Sequence, residues 1–105
     1  MITYLDGNMI ELSPTHAVVE CNGVGYYLHI SLNTFTKFDQ SNSDKLKFFT
    51  YLSIKEDAHT LYGFAEREER ELFRHLISVS GVGPNTAQMI LSSLSPADAQ
   101  QAIIA

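Results

Sequence analysis

The sequence predicts an α+β fold, in which a small five-stranded β-barrel is followed by a helical part. Three observations predict it. Apolar and polar residues alternate through several short segments of the first 64 residues, and a period of two is typical of strands that bury one face. From Ala65 onward the apolar residues recur about every 3.6 residues, as on an amphipathic helix. The length of 105 residues suits one ordinary domain, or a small domain and the start of another.

Five segments of the first part have the pattern of strands: residues 2–12, 16–21, 24–30, 46–55 and 60–64. Asn22 and Gly23 separate the second strand from the third, and this pair favours a type I′ turn because both central residues take positive φ. A short helical turn is predicted at residues 34–38. Five short strands in so small a unit favour a partly open barrel of the OB type, since closure limits the exposed strand edges.

The alternation also assigns side chains to the barrel core. The residues predicted to share the core face of the third and fourth strands are Val24, Tyr26, Leu28, Ile30, Leu46, Phe48, Leu52 and Ile54. Successive side chains of a strand point to opposite faces. Phe49 and Tyr51 are therefore predicted to lie on the outer face of the barrel.

Residues 66–80 form the first predicted helix of the second part. Its apolar stripe consists of Leu72, Phe73, Leu76, Ile77 and Val79. Several glutamates lie in its first turn, where the helix dipole favours negative charge. Glu66 and Arg70 have the spacing of an i,i+4 ion pair. We expect the charged residues to form a solvated helix face.

Two further helices are predicted, one from about Pro84 to Leu94 and one from Ser95 onward. The predicted division is residues 1–64 for the barrel and residues 65–105 for an incomplete helical domain. The last helix reaches Ala105 without a glycine stop or a basic last turn. We therefore expect the chain to be an N-terminal fragment of a longer protein.

Composition limits the function classes. A net charge of −5 argues against a general nucleic-acid-binding surface, so any DNA contact must come from a local cluster of donors or from residues outside this chain. The single Cys21, the lack of an export signal and the lack of a long apolar run are typical of a cytoplasmic protein without membrane contact. The histidines His16, His29, His59 and His75 are too dispersed for a metal site, and no catalytic arrangement or lysine-containing phosphate loop is recognisable. We expect no cofactor.

The tripeptide Gly-Val-Gly occurs twice, and its second copy, at residues 81–83, joins two predicted helices. The residues that fit a helix–hairpin–helix pattern are Leu76, Val79, Gly81, Gly83, Ala87, Ile90 and Leu91. The two glycines are expected to allow positive φ and a close approach to the backbone. The free amides at the start of the following helix then form an anion site.

The residues predicted to contact phosphate are Gly81, Val82, Gly83, Asn85 and Thr86. Such contacts position a backbone and read no base sequence. A tight turn between helices, in which the glycines only permit packing, is the alternative that the tripeptide leaves open.

These segments together resemble the RuvA family, the subunits that bind Holliday junctions in the bacterial branch-migration complex. The resemblance lies in "MITYLDGNMIE", "GVGYYLHI", "KEDAHTLYGF" and "GVGPNTAQMIL", which occur in the family's order and cover nearly all of the chain. It implies a non-catalytic protein that, as a homotetramer, holds four-way junction DNA open. It also implies recruitment of the ring ATPase RuvB, through a C-terminal domain absent from this chain, and a RuvC-like resolvase as a further partner.

The resemblance also implies roles for particular residues. The hairpin at residues 81–84 corresponds to the first of two that grip the junction backbone. Glu56 and Asp57 match the family's acidic pin near the centre of the tetramer. Asn85 stands where the family often has lysine, and the second hairpin lies beyond this chain. We therefore expect this chain by itself to bind junction DNA poorly.

Two other functions are considered. The first is a module of the OB type that binds single-stranded DNA through a stacking platform of Tyr26, Tyr27, Phe49 and Tyr51. These aromatic residues are, however, expected to lie mainly in the core or at subunit interfaces. The second is a small enzyme or nuclease subunit, which no residues at catalytic spacing support.

Overall fold

The computed structural model describes residues 2–41 and 45–93, which form five strands and three helices. The elements in chain order are β1 (Tyr4–Leu12), β2 (His16–Cys21), β3 (Val24–Ile30), α1 (Leu32–Asp39), β4 (Lys45–Lys55), β5 (Ala58–Phe64), α2 (Arg67–Ile77) and α3 (Pro84–Ser93). The predicted five strands followed by helices are confirmed. The third predicted helix, from Ser95, lies outside the described residues.

The strands form a closed barrel in the order β1-β2-β3-β5-β4. The barrel is thus closed where the sequence predicted a partly open one. β3 and β5 pair in parallel, and the other neighbours are antiparallel. β1 reaches both of its neighbours because it is long and its pairing with β2 shifts register between Met9 and Glu11. Closure leaves no strand edge unpaired along the barrel.

The turn between β2 and β3 has the predicted form. Asn22 has a φ of 51° and Gly23 a φ of 83°. Positive φ at both central residues is the requirement of a type I′ turn, whose twist matches that of the flanking strands. Asn22 and Gly23 therefore fix the register of this hairpin, in which Cys21 pairs with Val24.

Two apolar clusters hold the fold. The first fills the barrel and consists of Leu5, Ala17, Val19, Leu28, Ile30, Phe38 and Phe48. The second joins the outer face of the barrel to α2 and α3 and consists of Tyr62, Phe64, Leu72, Phe73, Ala87 and Leu91. Phe49 and Tyr51 pack against this second cluster, which agrees with their predicted place on the outer face of β4.

Three side chains predicted to be buried are exposed. Val24 is 50% exposed, Ile54 is 65% exposed and Val79 is 55% exposed. Each lies at the end of its pattern: Val24 begins β3, Ile54 is the second-last residue of β4, and Val79 follows the end of α2. The apolar period continues there, but no neighbouring element covers the side chain.

The charged residues of α2 are also arranged differently from the prediction. Glu66 pairs with Lys37 of α1, while Arg70 pairs with Glu71, with an N–O distance of 3.2 Å. Glu69 and Arg70 are buried rather than solvated, each with 8% exposure. The predicted pair of Glu66 with Arg70 is therefore wrong, because the partners that pack against α2 take up both side chains.

A buried hydrogen-bond network joins α1 to α2. The carboxylate of Glu69 accepts from the hydroxyl of Ser31 at 2.8 Å and from that of Thr34 at 2.6 Å. Ser31 Oγ also accepts from the Thr34 backbone N–H and so caps α1. Thr34 Oγ1 accepts from the N–H of Ala65, just before α2 begins. The start of α2 is thereby fixed against the barrel side of the molecule.

Candidate nucleic-acid interface

The connection between α2 and α3 is a bend built from overlapping turns. The Ser78 N–H donates to Arg74 and His75 carbonyls, and the Val79 N–H donates to the Leu76 carbonyl at 3.1 Å. The Val82 N–H then donates to the Val79 carbonyl, also at 3.1 Å. These short bonds turn the chain within a few residues, so that α3 starts at Pro84.

The two glycines of the bend differ in conformation. Gly81 has a φ of +87°, which side chains other than hydrogen rarely permit, so the prediction of positive φ is correct there. Gly83 is absent from the positive-φ residues of the described chain, and the same prediction is wrong for it. A methyl group at Gly83 would meet no atom within 4 Å. Gly83 therefore faces open space, which leaves its backbone open to approach by another molecule.

The backbone amides of the bend face outward. Gly81, Gly83, Asn85 and Thr86 are exposed, while Val82 is half-buried and packs against the second apolar cluster. The first helical bond of α3 runs from Ala87 N–H to Gly83 O at 2.9 Å. Within residues 2–41 and 45–93, no acceptor receives the N–H of Gly83, Asn85 or Thr86. Free amides at a helix start are suited to bind an anion.

Asn85 has a second role in the structure. Its Oδ1 accepts a hydrogen bond from the Tyr62 hydroxyl of β5 at 3.1 Å. Burial raises the pKa of Tyr62 above its ordinary value, so this hydroxyl keeps its proton through the neutral range. The bond fixes the first turn of α3 against the barrel. The sequence gave no signal for it, because the two residues lie 23 positions apart.

Glu56 and Asp57 form the two-residue turn between β4 and β5, and both are fully exposed to solvent by class. The turn is closed by the pairing of Lys55 with Ala58. No ion pair involves either carboxylate in the part of the chain that the structure describes. No hydrogen bond or ion pair between described residues joins this turn to the bend, so the two predicted sites are separate features.

The four aromatic residues proposed for a stacking platform do not share one surface. Tyr26 packs against the barrel core, and Phe49 and Tyr51 pack against the cluster below α2 and α3. Tyr27 is the exposed member, with 52% exposure. The expectation that these residues serve mainly in the core is confirmed for three of them.

The remaining candidates for chemistry are few. No group of histidine, cysteine, aspartate and glutamate side chains suited to a metal ion occurs among the described residues. No helix there is long and apolar enough to cross a membrane. Cys21 is a free, half-buried thiol whose Sγ contacts the Asp6 carbonyl at 3.4 Å.

Comparison with known proteins matches this geometry to one family. The family model of the RuvA N-terminal domain matches residues 1–63. A curated relative from Christiangramia forsetii is 56% identical over 103 residues, which is 98% of this chain and 52% of the relative. One from Parabacteroides distasonis is 55% identical over the same length, and one from Cytophaga hutchinsonii is 46% identical.

All three relatives are named Holliday junction branch migration complex subunit RuvA. The chain spans about half the length of these proteins, with 52%, 52% and 51% of each covered. The match includes both the barrel and the bend between α2 and α3. The chain therefore belongs to the RuvA family, in which it corresponds to the N-terminal half.

Proposed function

We propose that this chain provides the barrel and the first DNA-binding hairpin of a non-catalytic subunit that binds four-way DNA junctions in the cytoplasm. In the proposed division, residues 1–64 serve assembly into a homotetramer and residues 65–105 serve DNA contact. A RuvB-type ring ATPase, recruited through another part of the subunit, drives branch migration, and a RuvC-type resolvase is a further partner. The exposed bend at residues 81–86 is the observation that carries this proposal.

The bend is suited to hold a phosphate group. Gly83, Asn85 and Thr86 present backbone N–H groups at the positive end of α3, and Gly83 adds no side chain to obstruct a strand. Each such helix terminus contributes only about 0.3–1 kcal/mol toward an exposed anion. One bend therefore positions a phosphate, and stable binding requires several copies acting together.

The acidic turn supplies the opposing effect. In a fourfold assembly, Glu56 and Asp57 of each copy would surround one axis. A phosphate backbone near that axis would be repelled over a distance of about 10 Å at physiological salt. We infer that this repulsion keeps the strands of a junction apart at the crossover and disfavours a continuous duplex there.

The rival single-strand platform loses support from the structure. Its function requires adjacent exposed rings, whereas Tyr26, Phe49 and Tyr51 are packed against the two apolar clusters. The bend, in contrast, is exposed and anchored. The junction-binding proposal is therefore the stronger of the two.

The test of the bend uses a chimera in which this chain replaces the N-terminal half of the Christiangramia forsetii relative. Gly83→Val should weaken junction binding in a gel-shift assay by about fivefold or more, because the new side chain blocks the amides from phosphate. The fold should be retained, since Gly83 faces open space and does not need positive φ. The matched control is Gly25→Val, at an exposed glycine of β3 whose added methyl would meet Val18 at an ordinary 3.7 Å. Equal loss of affinity in both variants would refute the proposal.

The test of the acidic turn uses the same chimera with Glu56→Gln and Asp57→Asn. Duplex binding should strengthen and the preference for the junction should narrow, because the repulsion at the axis is removed. A control with Asp6→Asn and Glu20→Gln changes the net charge equally at exposed positions of β1 and β2. An equal change in both variants would show that only total charge matters.

A further inference from the structure

A cleft of about 590 Å³ lies between the barrel and α3, next to the bend. His29 and Tyr62 line it from the barrel, and Asn85, Gln88 and Met89 line it from α3. Its walls are mostly apolar, and Met89 is 73% exposed. Clefts of this size with a few polar groups are typical of sites for small ligands. A planar ring system as large as a nucleobase fits within it.

A row of aromatic rings leads along the barrel surface into this cleft. The rings of His16 and Tyr27 are stacked with centroids 4.7 Å apart, and the edge of Tyr27 meets His29 at 5.3 Å. His29 then lies 5.6 Å from Tyr62. His29 and Tyr27 are exposed, so their faces are open to a further ring. Nucleobases stack on such rings, and the face formed by the second and third strands is the usual nucleic-acid surface of OB barrels.

Gln88 supplies a polar group that lacks a partner. Both atoms of its side-chain amide, Oε1 and Nε2, are buried without a hydrogen bond among the described residues. An unpaired buried amide is unfavourable. Each nucleobase carries adjacent donors and acceptors on its pairing edge, and one amide can match such a pair. Rotation of the Gln88 side chain into the cleft would allow this match.

The cleft is continuous with the proposed phosphate site. Asn85 belongs to both, since its N–H lies at the start of α3 and its side chain lines the cleft beside Tyr62. Gln88 follows one helical turn later, at a rise of about 5 Å. A phosphate held at the start of α3 would therefore carry its own base to the mouth of the cleft.

We propose that the cleft binds an unpaired nucleobase, stacked between His29 and Met89, from the strand whose phosphate contacts the bend. This inference rests on the proposed function of the bend. It assigns the cleft a role at a branch point, where bases leave one duplex before they pair in another. Capture of the exposed base would stabilise the opened strand.

The test measures amide chemical shifts of the 105-residue chain by NMR. The ligands are a single-stranded thymidine tetranucleotide and an abasic tetranucleotide with the same number of phosphates. The thymidine oligomer should bind about fivefold more tightly, because stacking adds to the phosphate contact. It alone should shift the amides of His29, Gln88 and Met89, whereas both ligands should shift those of residues 81–86.

The variants Met89→Ala and His29→Ala should remove the gain that the bases confer. Ile10→Ala, which truncates another exposed apolar side chain on β1, should retain it. Equal affinity for the two ligands with shifts at the bend would overturn the cleft proposal alone. An absence of shifts at the bend with either ligand would overturn the proposed function and this inference together. Cleft shifts that follow protein concentration without DNA would assign the cleft to contact between copies and overturn it as a base site.

Discussion

Replacement of Glu69 by alanine should destabilise the protein by about 2–4 kcal/mol, since it removes the buried acceptor that joins α1 to α2. Glu69 is 8% exposed and accepts from two hydroxyl groups at 2.8 and 2.6 Å. A hydrogen bond to a charged group contributes about 1.5–3 kcal/mol, and loss of the carboxylate also leaves two buried hydroxyls without their acceptor. The release of the carboxylate's own desolvation cost offsets part of this loss.

Urea unfolding followed by circular dichroism measures this effect, with Glu71→Ala as the control on the half-buried side of the same helix. Glu69→Gln should cost less, about 1–2 kcal/mol, because the amide oxygen still accepts one hydroxyl. Thr34→Val should show coupling with Glu69→Ala in a double-mutant cycle. A cost below about 0.5 kcal/mol for Glu69→Ala, or no coupling to Thr34, would refute the stabilising role of the network.

Three further predictions concern single positions. Gly81→Ala should cost about 1–2 kcal/mol in urea unfolding because of its φ of +87°, whereas Gly83→Ala should cost little; equal costs would contradict the assigned conformations. Gly7→Ala should destabilise the barrel in thermal melts, since its methyl would lie 2.3 Å from the Glu20 carbonyl oxygen; an unchanged melting temperature would show that β1 and β2 separate easily. Because burial raises the pKa of Tyr62, stability should be complete below about pH 10 and fall as pH rises through that raised pKa. Tyr62→Phe should lose less stability between about pH 9 and about pH 11, and an identical loss in the two proteins would exclude Tyr62 as the source.

Local patterns in the sequence predict the elements of this fold but not always their limits. The pair Asn22 and Gly23 specifies its turn through backbone conformation alone, and the structure has that turn. Ile54 continues the alternation of β4 yet is exposed, because periodicity assigns a face without showing where the covering layer ends. The same reason applies to Val79, which follows the last turn of α2.

Contacts between distant positions could not be predicted from one sequence. Glu69 is buried by hydroxyls 38 and 35 positions away, and a glutamate in the first turn of a helix is ordinarily solvated. The bend was predicted because its glycines and Pro84 are adjacent in sequence. The cleft was not predicted, since it forms only when α3 packs beside β3 and β5.

β5 connects the acidic turn directly to the helices that carry the bend. The strand begins one residue after Asp57 and ends at Phe64, and α2 starts at Arg67. Its seven residues span about 23 Å, so the strand works as a ruler between a repelling and an attracting feature. A change of one residue in this ruler would turn Tyr62 and Phe64 from the helices toward the barrel interior. Evolution can therefore adjust the spacing only in steps of two residues, which keeps the dimensions of the DNA-facing surface nearly constant.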